Sequence, residues 1–347
     1  MLSPPASIVA FVYKNQENIM RCDRLTNNLG MSLSMAVWLA DDPYDYVDIP
    51  NYISITTLMK HPRQIILGSR LTSNVVSQDV SEAMSSRLGS AIHSSIEDVW
   101  LNRAKACLKK LGYPAAVIER VLINPEPADL YEGCIPVYME KRSLRKIGKW
   151  TIGGKFDFVG DGKLEDFKST SVFYYMNGNN DVKYTLQGSL YRWLNPEIIT
   201  DDYLSIQFIF TDWSKSDARY KDGYPPSRIY PRKYRLTSLP ETELWVQRKL
   251  ALLEELWNAP ESELPLCDAE ALWQDTPTYK YYKNPAKMNR STKNFDTMAE
   301  ANLRWIEDGR VGTVIETPGN AKGCLYCDSY KICSQKDSLI ANGTLKV

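Results

Sequence analysis

Hydrophobic and polar residues alternate most regularly near the middle of the chain. Phe156, Phe158 and Phe167 alternate with polar residues at period two, and Asp161-Gly162 stands between the two arms. Asp-Gly favours a two-residue type I′ turn, because both turn positions need a positive φ. The pattern therefore predicts a β-hairpin over residues 155–168.

The flanking patterns predict further strands and helices. Strands are expected at 135–140 and at 204–210. The second of these is a short apolar run, which is typical of a strand covered on both faces. Helices are expected at about 81–111, at 184–193 and at 241–257, the first ending at Gly112 as helices often do. This mixture predicts an α/β fold with a central mixed sheet flanked by helices.

One face of the predicted hairpin carries charged residues. With Asp161-Gly162 in the loop, Asp157 faces Asp166, and Lys168 projects from the same side. The three phenylalanines then point to the other face, into a core, and strict alternation places Glu165 with them. Like charges directly opposite each other destabilise a hairpin, and carboxylates are ligands that Mg²⁺ prefers. The face is either a divalent metal site or an ordinary solvated surface.

Three motifs resemble those of a known nuclease family. Asp157 followed by Asp166-Phe167-Lys168 resembles the signature of the PD-(D/E)XK nuclease superfamily. Gln187 and Tyr191, which share one helix face, match the Gln-x-x-x-Tyr pattern of its RecB-type exonuclease branch, and Gly89-x-x-x-His93 resembles the Gly-x-x-x-His motif on that branch's first core helix. The resemblance covers Gly89 to Tyr191 and implies a restriction-endonuclease-like core.

The resemblance also implies an activity, a metal-dependent deoxyribonuclease that degrades linear single- or double-stranded DNA from an end. The residues implied in catalysis are His93, Asp157, Asp166, Lys168, Gln187 and Tyr191. His93, Asp157 and Asp166 would bind Mg²⁺ or Mn²⁺, while Lys168 would orient the attacking water or stabilise the transition state. The glutamine and the tyrosine would position the lysine or the DNA backbone.

Two further carboxylates are open candidates for the same metal. Glu97 lies one helical turn after His93, and Glu140 ends a predicted strand, as an upstream glutamate often does in this family. Either could equally be a surface carboxylate. Two other functions also stay open: a structure-specific endonuclease on the same core, and a non-catalytic nucleic-acid-binding module. The sequence has no P-loop, so no ATP-driven helicase activity is expected.

The C-terminal region carries a second set of metal-ligand candidates. Cys324-x2-Cys327-x5-Cys333 has the spacing of a metal site. It is similar to the C-terminal three-cysteine motif of RecB-type nucleases, phage-type members included, that hold a [4Fe–4S] cluster. Structural Zn²⁺ fits the same spacing, and three free thiols are the remaining alternative. Cys267 is the first candidate for the fourth ligand, because the stretch around it resembles phage-type members. His61 is the second, because His61-Pro62-Arg63 resembles a Cys-Pro-Arg motif of the iron–sulfur members. Cys22, Cys107 and Cys134 rank below both.

Basic residues are concentrated locally in a chain that is neutral as a whole. Lysines and arginines number 42, as do aspartates and glutamates. A run of basic residues leads from Lys141 to Lys155, and residues 215–235 and 270–300 combine lysine and arginine with tyrosine. Cations pair with phosphates and aromatic rings stack on bases. The basic run is expected to be a phosphate track, with a solvated face as the alternative. Residues 215–235 and 270–300 are expected to be DNA-contacting insertions, with inert solvated loops as the alternative.

Composition and motif order also indicate location and domain organisation. An odd number of cysteines, 7, without a secretory signal or a membrane-spanning run favours the reducing cytoplasm. Residues 1–50 are interpreted as an N-terminal extension, and 51–347 as one nuclease domain with a cysteine metal staple at 324–333. The resemblance to phage proteins implies a role in phage DNA recombination, repair or processing in the host cytoplasm, beside a phage recombination or replication protein.

Overall fold

The computed structural model describes residues 24–41, 46–71, 77–178 and 180–346. Cys22 lies outside these ranges. The described residues form two compact units, one made of 24–59 and 77–249 and the other of 60–71 and 250–346. The predicted boundary at residue 50 stays a prediction.

The elements follow in chain order. The strands are β1 Arg24–Thr26, β2 Tyr52–Ser54, β3 Ser77–Asp79, β4 Val121–Ile123, β5 Ile135–Ile147, β6 Trp150–Gly160, β7 Lys163–Thr170, β8 Tyr203–Phe210, β9 Ile229–Arg235, β10 Thr278–Tyr282, β11 Lys293–Phe295 and β12 Thr313–Thr317. The helices are α1 Leu33–Ala40, α2 Ile55–Leu58, α3 Pro62–Ser69, α4 Met84–Lys110, α5 Ala115–Ile118, α6 Val172–Asn177, α7 Asp181–Leu194, α8 Asp217–Tyr220, α9 Leu239–Leu256, α10 Met298–Glu307 and α11 Ser334–Ala341.

A mixed sheet forms the centre of the first unit. Its seven described strands run in the order β4-β5-β6-β7-β8-β9, with β2 beside β6. The pairs β4–β5, β7–β8 and β2–β6 are parallel and the others antiparallel. Helices α4 and α7 pack against this sheet. The predicted α/β class with a central mixed sheet flanked by helices is confirmed.

The central hairpin forms around the predicted turn. Asp161 and Gly162 have φ values of 50° and 78°, so both occupy the left-handed region that a type I′ turn requires. Gly160 pairs with Lys163 and Phe158 with Glu165, in the predicted register. The strand pairing ends there, however, because the backbone N–H of Phe167 donates to Asp157 Oδ2 at 2.9 Å instead.

The three phenylalanines do not share one core, which corrects the sequence-based interpretation. Phe158 and Phe167 pack with Trp100 of α4 in the cluster around Val137 and Met139, whereas the buried Phe156 meets Tyr191 of α7 edge to face. Strict alternation would send positions 156 and 158 towards the same helix. It is interrupted at Asp157, the residue between them.

The second unit is built on a smaller antiparallel sheet of three described strands in the order β11-β10-β12. Helix α3 begins with a capping box, in which His61 Nδ1 accepts the Arg63 N–H and Gln64 Oε1 accepts the His61 N–H. Two 3₁₀ turns, Lys322–Tyr326 and Tyr330–Ile332, are followed by Cys327 and Cys333 respectively. The segment predicted as an insertion at 270–300 contributes β10 and β11 to this sheet.

Candidate functional site

A gap in the pairing of β6 creates room for the first site. Strand β5 runs along one edge of β6 over its whole length. The other edge pairs first with β2, at Thr151–Gly153, and then with β7, at Phe158–Gly160. Between these stretches, residues 154–157 pair on that side with no strand in the described part of the chain. Asp157 ends this unpaired stretch, so its carboxylate can turn towards neighbouring side chains.

Helix α4 brings His93 to the same place. His93 Nε2 lies 3.0 Å from the carbonyl oxygen of Phe167, which can only accept, so Nε2 carries the proton. In the neutral ring the lone pair is then on Nδ1, which lies 3.6 Å from Asp157 Oδ2 and 3.9 Å from Glu140 Oε1. A ring held by its second nitrogen and offering the first to carboxylates is arranged as a metal ligand is.

Glu140 completes this group through an unusual backbone conformation. Its φ is +47°, a region that residues other than glycine rarely occupy in the middle of a strand. The ladder has the same register on both sides of it, Met139 with Phe158 and Lys141 with Phe156, but the pair between Glu140 and Asp157 is missing. Ligand atoms of His93, Glu140 and Asp157 all lie within 4.8 Å of one another.

Asp166, Lys168, Gln187 and Tyr191 form a second, adjoining group. Lys168 Nζ is 2.6 Å from Asp166 Oδ2. Gln187 Nε2 lies 3.4 Å from Asp166 Oδ1 and 3.3 Å from the Tyr191 hydroxyl. Asp166 is 2% exposed, Gln187 8% and Tyr191 5%, whereas the Lys168 side chain is 32% exposed. The Asp166 carboxylate is thus contacted by the buried Gln187, whereas the Lys168 side chain reaches solvent.

The structure therefore brings the six predicted catalytic residues into two neighbouring groups and changes their grouping. Asp166 pairs with Lys168 and is not a member of the triad, where Glu140 stands in its place. Glu97 is not in the triad either. Glu165 lies beside Gln207, whose Nε2 donates to Glu165 Oε2 at 3.1 Å. Glu140 could be recognised from the sequence only as a carboxylate at a strand end.

The electrostatics of the site favour a bound cation. Burial, and then the nearby Asp166 carboxylate, raise the pKa of Asp157 to about 7. Burial disfavours the charged form of His93. The hydrogen bond with Glu140 and the charge of Asp157 outweigh this effect, so the pKa of the imidazole is raised. Likewise Asp166 and Asp157 overcome burial and raise the pKa of Lys168. Negative charge is thus in excess around Asp157, and a metal ion would relieve it.

The basic run on β5 and β6 is largely engaged within the protein. Lys155 Nζ is 2.7 Å from Glu140 Oε2, and Arg145 pairs with Glu243 at 2.9 Å while lying over the Trp193 ring. Arg142 Nη1 donates to the Tyr52 hydroxyl at 3.2 Å. Only part of this run is therefore free to contact phosphates.

The segment 215–235 is partly an edge strand of the sheet. Its last third is β9, which pairs antiparallel with β8. Arg232 lies 4.1 Å over the Tyr175 ring and 3.9 Å from Asp181, and Tyr234 is buried. Lys233 and Arg235 are exposed. The alternation of the strand separates a structural arginine from two solvent-facing cations.

The predicted cysteines line one pocket in the second unit. Cys267, Cys324, Cys327 and Cys333 all border it, together with Arg63. Burial first and the neighbouring thiols second raise the pKa of Cys267 to about 12, and burial raises the pKa of Cys324 and Cys327. All four sulfurs are free thiols. Cys107 and Cys134 belong to the other unit and do not border the pocket.

Two observations bear on which residue would be the fourth ligand of a metal centre here, and on which metal it would hold. His61 Nδ1 is 3.6 Å from Cys267 Sγ, but its lone pair already caps α3, which favours Cys267 as the fourth ligand. Among the described residues, no three of the sulfurs lie within 4.8 Å of one another. A single tetrahedral Zn²⁺ would hold its sulfurs about 3.8 Å apart, whereas a cluster of several irons separates them further because each cysteine ligates a different iron.

Comparison with known proteins provides little further information. No family model and no curated protein matches the sequence. The crystal structure of SSO0001 is similar over 70% of this chain and 98% of its own, with 16% sequence identity and a TM-score of 0.41. None of the described helices combines the length and the hydrophobicity that crossing a bilayer requires.

Proposed function

We propose that the protein is a metal-dependent deoxyribonuclease with a PD-(D/E)XK core of the RecB-type branch, most active as an exonuclease on linear DNA. The observation that carries this proposal is the convergence of two groups at one gap in the sheet. His93, Glu140 and Asp157 form a triad with ligand atoms within 4.8 Å, and Asp166 holds the partly exposed Lys168 beside it.

The donor set of the triad fits a divalent cation. It offers two carboxylates and an imidazole lone pair. Burial and the nearby Asp166 carboxylate raise the pKa of Asp157, and a bound cation would favour its charged form. Carboxylates suit Mg²⁺ and Mn²⁺, and the imidazole favours the more transition-metal-like Mn²⁺. When bound, such an ion lowers the pKa of a coordinated water and neutralises charge on the phosphoryl oxygens. Asp166 would add a further carboxylate from the adjoining group.

The remaining residues of the site would hold its side chains in place and stabilise the transition state. Lys168, fixed by Asp166 at 2.6 Å, presents a cation at the edge of the site, where it can stabilise a phosphorane-like transition state. Gln187 is hydrogen-bonded to both Asp166 and Tyr191, and it would hold the Asp166 side chain in position. Lys155, paired with Glu140, limits the mutual repulsion of the carboxylates until a metal binds.

For the thiol pocket we propose a [4Fe–4S] cluster ligated by Cys267, Cys324, Cys327 and Cys333. All four cysteines border one pocket, and among the described residues no three of their sulfurs converge within 4.8 Å, as a single tetrahedral Zn²⁺ would require; both observations support a multi-iron centre. Thiolates select iron or zinc and oxygen ligands select Mg²⁺ or Mn²⁺, so the two sites would not exchange metals. The centre would be structural and apart from the hydrolytic chemistry.

The activity is tested by incubating the protein with end-labelled linear DNA and with covalently closed DNA, in Mg²⁺, Mn²⁺ or EDTA. Progressive loss of the linear substrate alone, abolished by EDTA, is the expected result. Cutting of closed circles would indicate an endonuclease on the same site. Binding without cleavage under every metal condition would contradict the proposal and leave a binding module.

The matched control for this assay is Lys163→Ala, on the same hairpin as Lys168 but exposed and outside the site. If the phage role is correct, a DNA recombination or replication protein of the same phage would be the natural partner.

A further inference from the structure

A fully buried arginine stands among the candidate thiol ligands. Arg63 is 2% exposed although it carries a full positive charge. Burying a cation without compensation is costly, so a buried guanidinium is informative about what surrounds it. Its sequence neighbours, His61 and Pro62, begin helix α3, but capping that helix uses only the backbone N–H of Arg63.

Every N–H donor of the guanidinium has an acceptor. Nη1 donates to the carbonyls of Glu261 and Leu264, each at 3.2 Å. Nη2 meets the Glu261 carboxylate and, at 3.2 Å, the Ser334 hydroxyl. The fifth donor, Nε, points to Cys333 Sγ at 3.4 Å. A lysine could not reproduce this planar set.

The sulfur contact is the one that a purely structural arginine does not need. A neutral thiol is a weak acceptor, whereas a metal-bound thiolate is a strong one. A centre with four thiolates would carry excess negative charge, and the Arg63 guanidinium donates a hydrogen bond to one of these sulfurs, that of Cys333. Glu261 neutralises part of that cation from its other side.

We propose that Arg63 is a positioning residue of the thiol centre, which holds Cys333 in its ligating orientation and stabilises the negative charge of the loaded centre, with Glu261 setting how much of its charge the sulfurs feel. This rests on the proposed metal centre. It predicts effects of opposite sign for the two partners, because removing Arg63 withdraws positive charge and neutralising Glu261 releases it.

The experiment uses anaerobically purified full-length protein and compares the parent with Arg63→Gln, Arg63→Lys, Glu261→Gln and Arg70→Gln. Arg70 is the matched control: it lies just after α3 and donates to the carbonyls of Trp257 and Ala259, but it is exposed and is not among the residues that line the thiol pocket. Iron and zinc content are measured first, then the half-time of metal loss to a chelator. For an iron centre, a redox titration follows.

Arg63→Gln should lose the metal at least tenfold faster than the parent and Arg70→Gln, with Arg63→Lys in between. Glu261→Gln keeps an amide oxygen that can accept from Ser334. This variant should therefore lose the metal no faster than the parent. In an iron centre, Arg63→Gln should shift the ratio of reduced to oxidised cluster at least tenfold towards oxidised, or 59 mV for one electron. Glu261→Gln should shift it towards reduced.

Equal half-times for folded Arg63→Gln and the parent would overturn the role of Arg63 and leave the metal centre standing. If Arg63→Gln does not fold, Glu261→Gln decides: faster metal loss or a shift towards oxidised cluster contradicts the proposal. A parent protein without iron or zinc removes the centre and the role of Arg63 together. DNA cleavage is assayed separately, so that the nuclease proposal fails or stands on its own result.

Discussion

The oxygen-rich triad and the thiol pocket would hold a metal in different ways. The triad is built on one sheet and one helix. Lys155 pairs with its Glu140, and Lys168 pairs with Asp166 of the adjoining group. The thiol pocket gathers separate stretches of chain around Cys267 and Cys333, and Arg63 is the cation bonded there. The first arrangement is therefore preformed by the backbone, whereas the second should depend on its metal for order. Four predictions test this contrast.

The largest effect is expected from Lys168→Ala. Because Lys168 presents its charge at the edge of the triad while remaining 32% exposed, its loss should reduce DNA cleavage by more than about 10³-fold, or about 4 kcal/mol in the barrier. Folding and DNA binding should be nearly unchanged, as for the control Lys163→Ala. Cleavage within tenfold of the parent, about 1.4 kcal/mol, would sink the assigned role.

Losing the thiol centre should mainly affect stability. Cys324→Ser should release the metal and destabilise the second unit by at least about 3 kcal/mol, since metal binding energy is folding energy. Hydrogen exchange should accelerate in residues 60–71 and 322–341 first. Cys107→Ser, a free half-buried cysteine in α4, is the control. Unchanged exchange after metal loss would mean that the pocket is ordered without a metal, like the triad.

The third prediction concerns pH and the triad. Folding raises the pKa of Asp157 from 3.8 to about 7. The stability that this group contributes is therefore complete below about pH 3.8 and is lost as the pH rises through about 7. In EDTA, the parent should lose stability over this window, and Asp157→Asn should be more stable than the parent at pH 8, by on the order of 1 kcal/mol, but not at pH 4.

Chemical denaturation at both pH values measures this difference, with the exposed Asp222→Asn as control. Adding Mn²⁺ at pH 8 should stabilise the parent and not Asp157→Asn. If Asp157→Asn destabilises the protein equally at both pH values, the carboxylates do not repel each other in the metal-free protein.

The smallest effect is expected on β9. Lys233 and Arg235 face solvent, whereas Arg232 packs on Tyr175. Replacing the two exposed residues by alanine should weaken DNA binding and reduce the slope of log K against log salt by about 2. The pair Lys105→Ala and Lys110→Ala on α4 is the control. An unchanged slope would make β9 an ordinary surface. Arg232→Ala should instead reduce stability.

Much of the frame of the first site could be predicted from local sequence. The turn at Asp161-Gly162, the helix carrying His93 and the helix carrying Gln187 lie where the patterns indicated. The common core for three phenylalanines was wrong, because alternation assumes an unbroken ladder and the ladder is broken at Asp157. On the other edge of β6, β2 and β7 pair with different parts of the strand, and no local pattern reports either feature.

The sequence by itself determined the features that depend on neighbouring residues: turn conformation, helix periodicity and the spacing of Cys324, Cys327 and Cys333. Tertiary structure alone decided which distant groups meet. It placed Glu140 in the triad through a positive φ, oriented His93 through the carbonyl of Phe167, and buried Arg63 against Cys333. The physical reason is that hydrogen bonds and charges act over a few ångströms in space, whereas sequence patterns report only what lies a few residues apart along the chain.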